Sequence, residues 1–310
     1  MARPGARLSQ DDTTGGPYAR RDRRGFGRLD ALVLAVVLGG LGWIGWRAGG
    51  ALNYAWDFGP VWGFVIRHDP QRGWVANLLL QGLLTTLRVS LWAGVIAAVV
   101  GVAMGIARAS RPLFPRLVAG FYVETIRNIP PLVFVFVFYF FVSSQVLPAL
   151  GIEDWIRRQP PGTLWWIEVL FGPPAQSAGI LAAIVCLGLF EGAYVTEIVR
   201  GGIQSLPPGQ WEAALALGLS RRQTLRHVIL PQAVARTVPP LAGQAVSLVK
   251  DSSIISLVSI QDLAFMGSEV AATTNRVFET WFVVALFYFI VCAALSAIAS
   301  RAERRFAKRI

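Results

Sequence analysis

Ionisable side chains lie inside one apolar run of this 310-residue chain and directly after another. Glu191 lies more than halfway along the run at residues 178–199, and Lys250 and Asp251 follow a run that begins near residue 228. Because charged groups are costly inside a lipid bilayer, they indicate function by default when an apolar run crosses one. Carboxylate and ammonium groups in such places could bind the opposite charges of a zwitterionic or charged small solute.

Two more polar side chains extend this candidate set. Tyr194 lies one helical turn after Glu191, and Ser252 follows Asp251. If the pair Pro239-Pro240 breaks the helix that contains it, the polar group at the end of that helix could lie deep in the membrane and line a pathway.

Several ionisable side chains have both a functional and a structural interpretation. Arg88, in TTLRVSLW, could face a solute carboxylate, but a snorkelling arginine near a loop explains it equally well. Lys250 and Asp251 could instead form a structural pair or lie at the outer interface. Glu197 and Arg200 are better explained as a helix-end ion pair and a snorkelling anchor.

A polar loop at residues 200–228 joins the two runs, and its sequence predicts a short helix, a sharp turn and a second helix. Pro207 and Pro208 suit the opening positions of a helix, where a missing N–H costs nothing, and good helix formers continue as far as Leu217. Gly218 then stands where a left-handed C-terminal cap needs a residue without Cβ.

The second helix begins with the signature of a capping box, Ser220 followed by Gln223. It runs into Leu230 and Pro231, and the Pro231 ring should kink the entry into the next apolar segment.

The first helix has a low-relief surface. Ala213 and Ala214 stand beside Glu212, so another protein could approach the backbone closely while the carboxylate offers one directional contact. We therefore interpret this helix as a docking site for a separate protein.

Composition identifies a membrane protein, because 54% hydrophobic residues is too apolar for a soluble domain of this size. The net charge of +11 does not indicate nucleic acid, since the basic residues cluster beside apolar runs and do not interleave with aromatic residues on a polar face. Cys186 and Cys292 lie inside apolar runs and indicate packing, with no disulfide or metal site.

The apolar runs predict an all-α membrane protein with about six transmembrane helices. They lie at residues 29–46, 78–107, within 117–146, and at 178–199, 228–248 and 278–300; in the third, the apolar crossing proper begins near Leu132. The predicted organisation is a disordered basic arm (1–28), an N-terminal anchor (29–48), a segment with interfacial aromatic residues (49–76), a membrane core (77–300) and a basic tail (301–310). A cleaved secretory signal is the alternative for the anchor, but the basic arm is long and the cleavage site is poor.

Lys and Arg concentrate in the arm, the turn at residues 108–116, the polar loop and the tail. This asymmetry predicts that both termini and the polar loop are cytoplasmic, with residues 49–76 in the periplasm. The chain contains no GxxxxGK[ST] phosphate loop, HExxH motif, CxxC pair or nucleophile elbow, so we expect no catalytic residue and no metal site.

Glu212, Ala213 and Ala214, followed by Gly218, Leu230 and Pro231, match the spacing of a known motif. The loop resembles the EAA loop of bacterial ABC-importer permeases, with Val228 where isoleucine is usual. Three segments resemble the polar amino-acid branch of that family, the histidine, glutamate and glutamine type: EIVRGGIQSLPPGQWEAALALGLS at 197–220, YVETIRNIPPLV at 122–133 and LVKDSSIISLVS at 248–259. The resemblance covers roughly residues 75–300.

The resemblance implies a five-helix type I permease core behind the N-terminal anchor, in the bacterial inner membrane. It implies a permease subunit that moves polar amino acids into the cell, beside a second permease copy or paralogue and a periplasmic amino-acid-binding protein. A dimer of ABC ATPase subunits would bind the ATP, so the chain itself needs no cofactor. The short helix would sit in a cleft of the ATPase and transmit its movement. The polar cluster Glu124, Arg127 and Asn128 would belong to a gate or a subunit contact.

An ion-gradient-driven secondary transporter of small polar solutes is the alternative, because it would also explain buried acids. Such carriers normally contain an internal repeat, and this chain has no clear one. A membrane-embedded enzyme would need a converging set of His, Cys or carboxylate groups, which the sequence lacks. The sequence does not identify the amino acid that is carried.

Overall fold

The computed structural model describes residues 27–52, 54–71 and 73–307, and these residues are almost entirely helical. The chain separates into two compact units, Met1–Trp56 and Asp57–Ile310. Residues 1–26 of the predicted disordered arm, and 308–310 of the predicted tail, lie outside the described residues.

In the described part of the first unit, one long helix, α1, spans Arg28–Leu52. Its stretch Leu29–Arg47 is long and apolar enough to cross a membrane, and its described side chains are exposed within the unit. An apolar helix of this kind has the composition of the predicted anchor at residues 29–48.

The second unit is a bundle of helices with one small hairpin. Its α-helices are α2 (Gly59–Trp62), α3 (Leu78–Ala109), α4 (Leu113–Asn128), α5 (Pro131–Phe141), α6 (Leu147–Ala149), α7 (Ile152–Arg157), α8 (Pro161–Phe171), α9 (Ser177–Gln204), α10 (Pro208–Ala216), α11 (Arg221–Thr224), α12 (Leu230–Asp251), α13 (Leu263–Thr274) and α14 (Val277–Ala307). Two π-helices, Val142–Val146 and Leu225–Ile229, and two 3-10 helices, Pro174–Gln176 and Ser252–Val258, join some of them.

Six helical stretches in the described residues are long and apolar enough to cross a membrane. They are Leu29–Arg47, Leu78–Ala109, Pro131–Ala149, Pro174–Gln204, Arg221–Val258 and Val277–Arg301. The prediction of an all-α membrane protein with about six transmembrane helices is confirmed.

A two-stranded hairpin interrupts the helices in the segment at residues 49–76. Strand β1 (Ile66–Asp69) pairs antiparallel with β2 (Gly73–Ala76), with Ile66 opposite Ala76. The sequence analysis predicted only aromatic residues at an interface here. Four-residue strands are too short to leave a clear alternating pattern, so the hairpin was not predicted.

Close packing between α3 and α9 forms the centre of the bundle, and glycine makes it possible. A Cβ built on Gly105 would lie 2.6 Å from the Val199 Cβ, and one on Gly101 would overlap Val195. Gly101 and Gly105 thus allow a close approach between the two helices, because they carry no Cβ.

The expectation that Pro239-Pro240 could break its helix is wrong. Both prolines lie inside α12, which continues without interruption as far as Asp251. Proline removes backbone donors, but its φ is compatible with a helix, and packing of α12 against α9 and α14 holds the helix together. The α-helix is instead interrupted before Pro231, where Leu225–Ile229 form a π-helix.

Candidate functional site

The polar loop folds as its sequence predicts. Helix α10 starts at Pro208, directly after Pro207, and ends at Ala216. Gly218 has φ +80°, in the left-handed region that side chains with a Cβ rarely adopt. Its N–H donates to the Leu215 carbonyl at 3.0 Å, and the Leu219 N–H reaches back to the Ala214 carbonyl at 3.2 Å. These bonds satisfy carbonyls that the helix end leaves free.

A reciprocal capping box starts α11, also as predicted. The Ser220 N–H donates to Gln223 Oε1 at 2.9 Å, and the Gln223 N–H donates to the Ser220 hydroxyl at 3.4 Å. Together the left-handed glycine and this box fix the angle between α10 and the following helix.

The motif residues of this loop divide between its surface and its base. Glu212 and Ala213 are exposed, whereas Ala214 is only 3% exposed and faces the bundle. Leu230 packs in the apolar cluster beneath the loop, and Pro231 is exposed. Leu217, which the sequence analysis did not select, is 83% exposed. A leucine directly before a capping glycine, outside any apolar run, was the available signal.

Contacts with both flanking helices hold the base of the loop. Apolar side chains from α9, α10 and α12 form one cluster that includes Ile203, Trp211 and Ile229. Arg236 donates to the Ser205 carbonyl, and Gln232 Nε2 donates to Gln210 Oε1 at 3.2 Å. Packed side chains and hydrogen bonds therefore attach α10 to both α9 and α12.

A second group of polar side chains lies within the membrane spans. Glu191 on α9 is fully buried, and Gln244 Nε2 of α12 donates to its Oε2 at 2.5 Å. The other carboxylate oxygen, Oε1, has no hydrogen-bond partner among the described residues. Asp251, two turns after Gln244, interacts electrostatically with Glu191. The structure thus brings Glu191 and Asp251 together across two helices, and it adds Gln244.

The other members of the predicted pathway set lie apart from this pair. Lys250 is exposed, and the described residues contain no ion pair between it and Asp251. Ser252 is buried and donates to the Val249 carbonyl at 2.8 Å, a local bond within its own turn. Neither side chain has a described contact with Glu191.

Arg88 lies elsewhere in the bundle, at the C-terminal end of α8. Its Nε donates to the Val169 carbonyl at 2.9 Å, and Trp92 Nε1 donates to the Leu170 carbonyl at 3.0 Å. A cation at the C-terminus of a helix is favourable because the last carbonyls lack partners and carry partial negative charge. These contacts support the structural interpretation of Arg88.

Tyr194 belongs to a cluster of charges nearer the polar loop. The guanidinium of Arg127 lies 5.4 Å from the centroid of the Tyr194 ring. One turn further on, Glu197 pairs with Arg108 at 2.6 Å and with Arg200 at 2.8 Å. The predicted helix-end pair of Glu197 and Arg200 is confirmed, whereas Arg108 joins it from α3 and could not be predicted from local sequence.

The fold and these two groups of residues define a multi-pass membrane protein with a short helix, rigidly attached, outside its membrane spans. The chain belongs to the family of binding-protein-dependent transport system inner membrane components, whose model matches residues 75–310. It is therefore a membrane-spanning permease subunit of an ABC importer in the inner membrane. Members of this family work with an ATPase and a binding protein.

Curated relatives support this family. The glutamine transport system permease protein GlnP of Escherichia coli (strain K12) is 36% identical over 228 residues, covering 74% of this chain and 92% of the relative. The glutamate/aspartate import permease protein GltJ of the same strain is 31% identical, covering 79% and 94%. A probable glutamine ABC transporter permease, GlnM of Bacillus subtilis (strain 168), is 34% identical, covering 75% and 94%.

Solved structures agree with the sequence relatives. A crystal structure of an amino acid ABC transporter with histidines has a TM-score of 0.58 and 30% identity, and the match covers 74% of this chain and 94% of that one. An inward-facing MetNI methionine ABC transporter has a TM-score of 0.54 at 20% identity and shows the shared fold alone. Family membership supports ATP-driven import and does not support the ion-gradient alternative.

Proposed function

We propose that this permease imports polar amino acids and that α10 couples it to a separate ATPase. The observation that carries the coupling proposal is the rigid attachment of an exposed helix to two membrane-spanning helices at once. An exposed carboxylate at Glu212 and an exposed apolar side chain at Leu217 give this helix both a directional contact and an anchor for a partner's cleft. The small side chain of Ala213 lets a partner approach the backbone of this helix closely.

The proposed mechanism is mechanical. Closure of an ATPase dimer around ATP moves α10, and the Gly218 turn and α11 pass this movement to α12 as rotation of a nearly rigid body. Buried Ala214 and half-buried Leu230 attach the helix to the bundle, and exposed Pro231 lies at the start of the moving span. The chain needs no cofactor of its own, because the ATPase binds the nucleotide.

For the solute, we propose a pathway that passes Glu191, Gln244 and Asp251. Two carboxyl groups and an amide within two membrane spans suit the ammonium group of an amino acid, and the unpartnered Glu191 Oε1 leaves an acceptor available. Tyr194, Lys250 and Ser252 stay candidates for later positions along the pathway.

The proposed assembly has two permease subunits, identical or paralogous, with two ATPase subunits in the cytoplasm and an amino-acid-binding protein in the periplasm. Both termini and α10 are cytoplasmic in this arrangement, because the basic residues concentrate on that side. Names of the relatives support the substrate class, since they are permeases for glutamine and for glutamate or aspartate.

Uptake into proteoliposomes tests the proposal. The complex would be purified with its ATPase and binding protein, and uptake of radiolabelled amino acids would be measured with ATP and with a non-hydrolysable analogue inside. We expect uptake of at least one polar amino acid only with ATP. Uptake driven by an ion gradient without nucleotide would contradict the proposal.

A further inference from the structure

A cavity of about 490 Å³ lies where α3 ends, α4 begins and α9 approaches the polar loop. Three arginines line it, one from each helix: Arg108, Arg116 and Arg200. Four residues of α4 also line it: Leu117, Gly120, Phe121 and Glu124. Neither the coupling helix nor the Glu191 group contributes to this cavity.

The arginines of the cavity exceed the acids that neutralise them. Arg108 and Arg200 share one carboxylate, Glu197. Glu124 pairs with Arg108 only at 3.4 Å, and its side chain is 70% exposed, so water screens this pair strongly. Arg116 is exposed and forms no ion pair within the described residues. The cavity therefore attracts an anion.

Beside the arginines, α4 exposes an apolar stripe. Phe114 is 77% exposed, Leu117 58% and Phe121 75%, at spacings that place them along one side of the helix. Such a stripe is unfavourable in water but suits the acyl region of a bilayer. Arginine guanidinium groups beside it would then lie at the level of the lipid headgroups.

We propose that this cavity binds the phosphate of an anionic glycerophospholipid from the cytoplasmic leaflet. Its headgroup contacts Arg116, Arg108 and Arg200, and its first acyl carbons lie along Leu117 and Phe121. Basic pockets between membrane helices on the cytoplasmic side recognise anionic headgroups in this way. A soluble anion would use the arginines but leave the stripe uncovered. The leaflet, but not the binding, rests on the orientation given under the proposed function.

Lipid binding to the full chain, purified in detergent, tests this proposal. Native mass spectrometry would compare phosphatidylglycerol with phosphatidylcholine of the same acyl chains, and a third arm would add inorganic phosphate as competitor. We expect phosphatidylglycerol to bind several-fold more tightly, and millimolar phosphate not to displace it.

Two variants localise the site, and one matched control accompanies them. Arg116→Gln removes one cavity arginine and should weaken phosphatidylglycerol binding about fivefold. Arg111→Gln changes an exposed arginine of the same turn that does not line the cavity, and should leave binding unchanged. Gly120→Leu fills the cavity without changing its charge, and because a Cβ there meets nothing within 4 Å, the fold should tolerate it. It should weaken binding at least as much as Arg116→Gln.

Three results would overturn the proposal. Equal losses in Arg116→Gln and Arg111→Gln would mean non-specific surface charge. Displacement by phosphate would mean a site for a soluble anion. Normal lipid binding by Arg116→Gln, with loss of the co-purifying ATPase, would assign the arginines to a protein contact. The assay needs no transport activity, so its failure is distinct from a failure of ATP-driven uptake.

Discussion

The polar loop and the Glu191 group are specified in different ways. The bonds that form the turn and the capping box of the loop join residues a few positions apart, such as Gly218 to Leu215 and Ser220 to Gln223. The Glu191 carboxylate instead meets Gln244, 53 residues away on another helix. Local chemistry thus builds the proposed coupling loop, whereas tertiary packing builds the proposed solute site.

The largest expected effect comes from a change in the turn after α10, where the structure is specified locally. Gly218→Val places a β-branched side chain at φ +80°, a conformation that costs such residues about 1–3 kcal/mol. The turn should open and α10 should lose its fixed angle. We expect ATP-dependent uptake to fall at least tenfold while the protein still inserts into the membrane, as measured in proteoliposomes and by membrane fractionation.

Gly209→Val is the matched control for that change. Gly209 lies in the first turn of α10, with ordinary helical backbone and no atom within 4 Å of a built Cβ. Uptake by this variant should stay within about twofold of the parent, since a helix tolerates valine at a cost below 1 kcal/mol. Normal uptake by Gly218→Val would contradict the proposed coupling.

A smaller effect is expected when Glu191, whose partner Gln244 lies far away in sequence, is changed. Glu191→Gln keeps the shape of the side chain and its contact with Gln244, but it removes the charge. If the carboxylate binds a solute ammonium, uptake should fall about tenfold, because a charge-assisted hydrogen bond contributes roughly 1.5–3 kcal/mol. Initial rates at several solute concentrations would measure it.

Glu269→Gln makes the same chemical change at an exposed position on α13 and should leave uptake unaltered. Parental uptake by Glu191→Gln, at equal expression, would remove Glu191 from the pathway.

Features that depend on local contacts could be predicted from the sequence, whereas features that depend on contacts between helices could not. The bounds of α10, the left-handed Gly218 and the Ser220 capping box could be predicted, because propensity and capping act within one turn. Gln244 could not, since nothing near it in sequence indicates that α12 will place it against Glu191. The Pro239-Pro240 interpretation failed for a related reason: the contacts that keep the helix continuous come from other helices.

A third variant tests the exposed surface of the polar loop. Leu217→Ala removes the most exposed apolar side chain of the loop without altering its backbone. Truncating an apolar anchor at the centre of an interface costs about 1–2 kcal/mol, so the affinity for the ATPase should fall about tenfold. Leu150→Ala, at a leucine that is 66% exposed outside the loop, is the control.

Affinity for the ATPase could be measured by titrating the purified ATPase onto the permease in detergent. Equal affinities for Leu217→Ala and the parent would assign the contact to other residues of α10.

The smallest expected effect comes from a residue that makes both a local and a long-range hydrogen bond. Asp262 caps α13 locally, accepting from the Phe265 N–H at 2.8 Å, while Tyr288 of α14 donates to its other oxygen at 3.4 Å. Burial raises the pKa of Asp262 from 3.8 to about 7. The folded chain therefore holds this proton more tightly than the unfolded chain, and stability is lost as pH rises from about 4 to about 7. Asp262→Asn keeps the cap but cannot titrate.

The thermal unfolding midpoint of the parent, measured in detergent from pH 5 to pH 8, should therefore decrease by a few degrees more than that of Asp262→Asn. Parallel curves would mean that the local cap bonds from Phe265 and Ala264, which lower the pKa, offset the burial. In that case local chemistry would dominate even where the carboxyl group is fully enclosed by three helices.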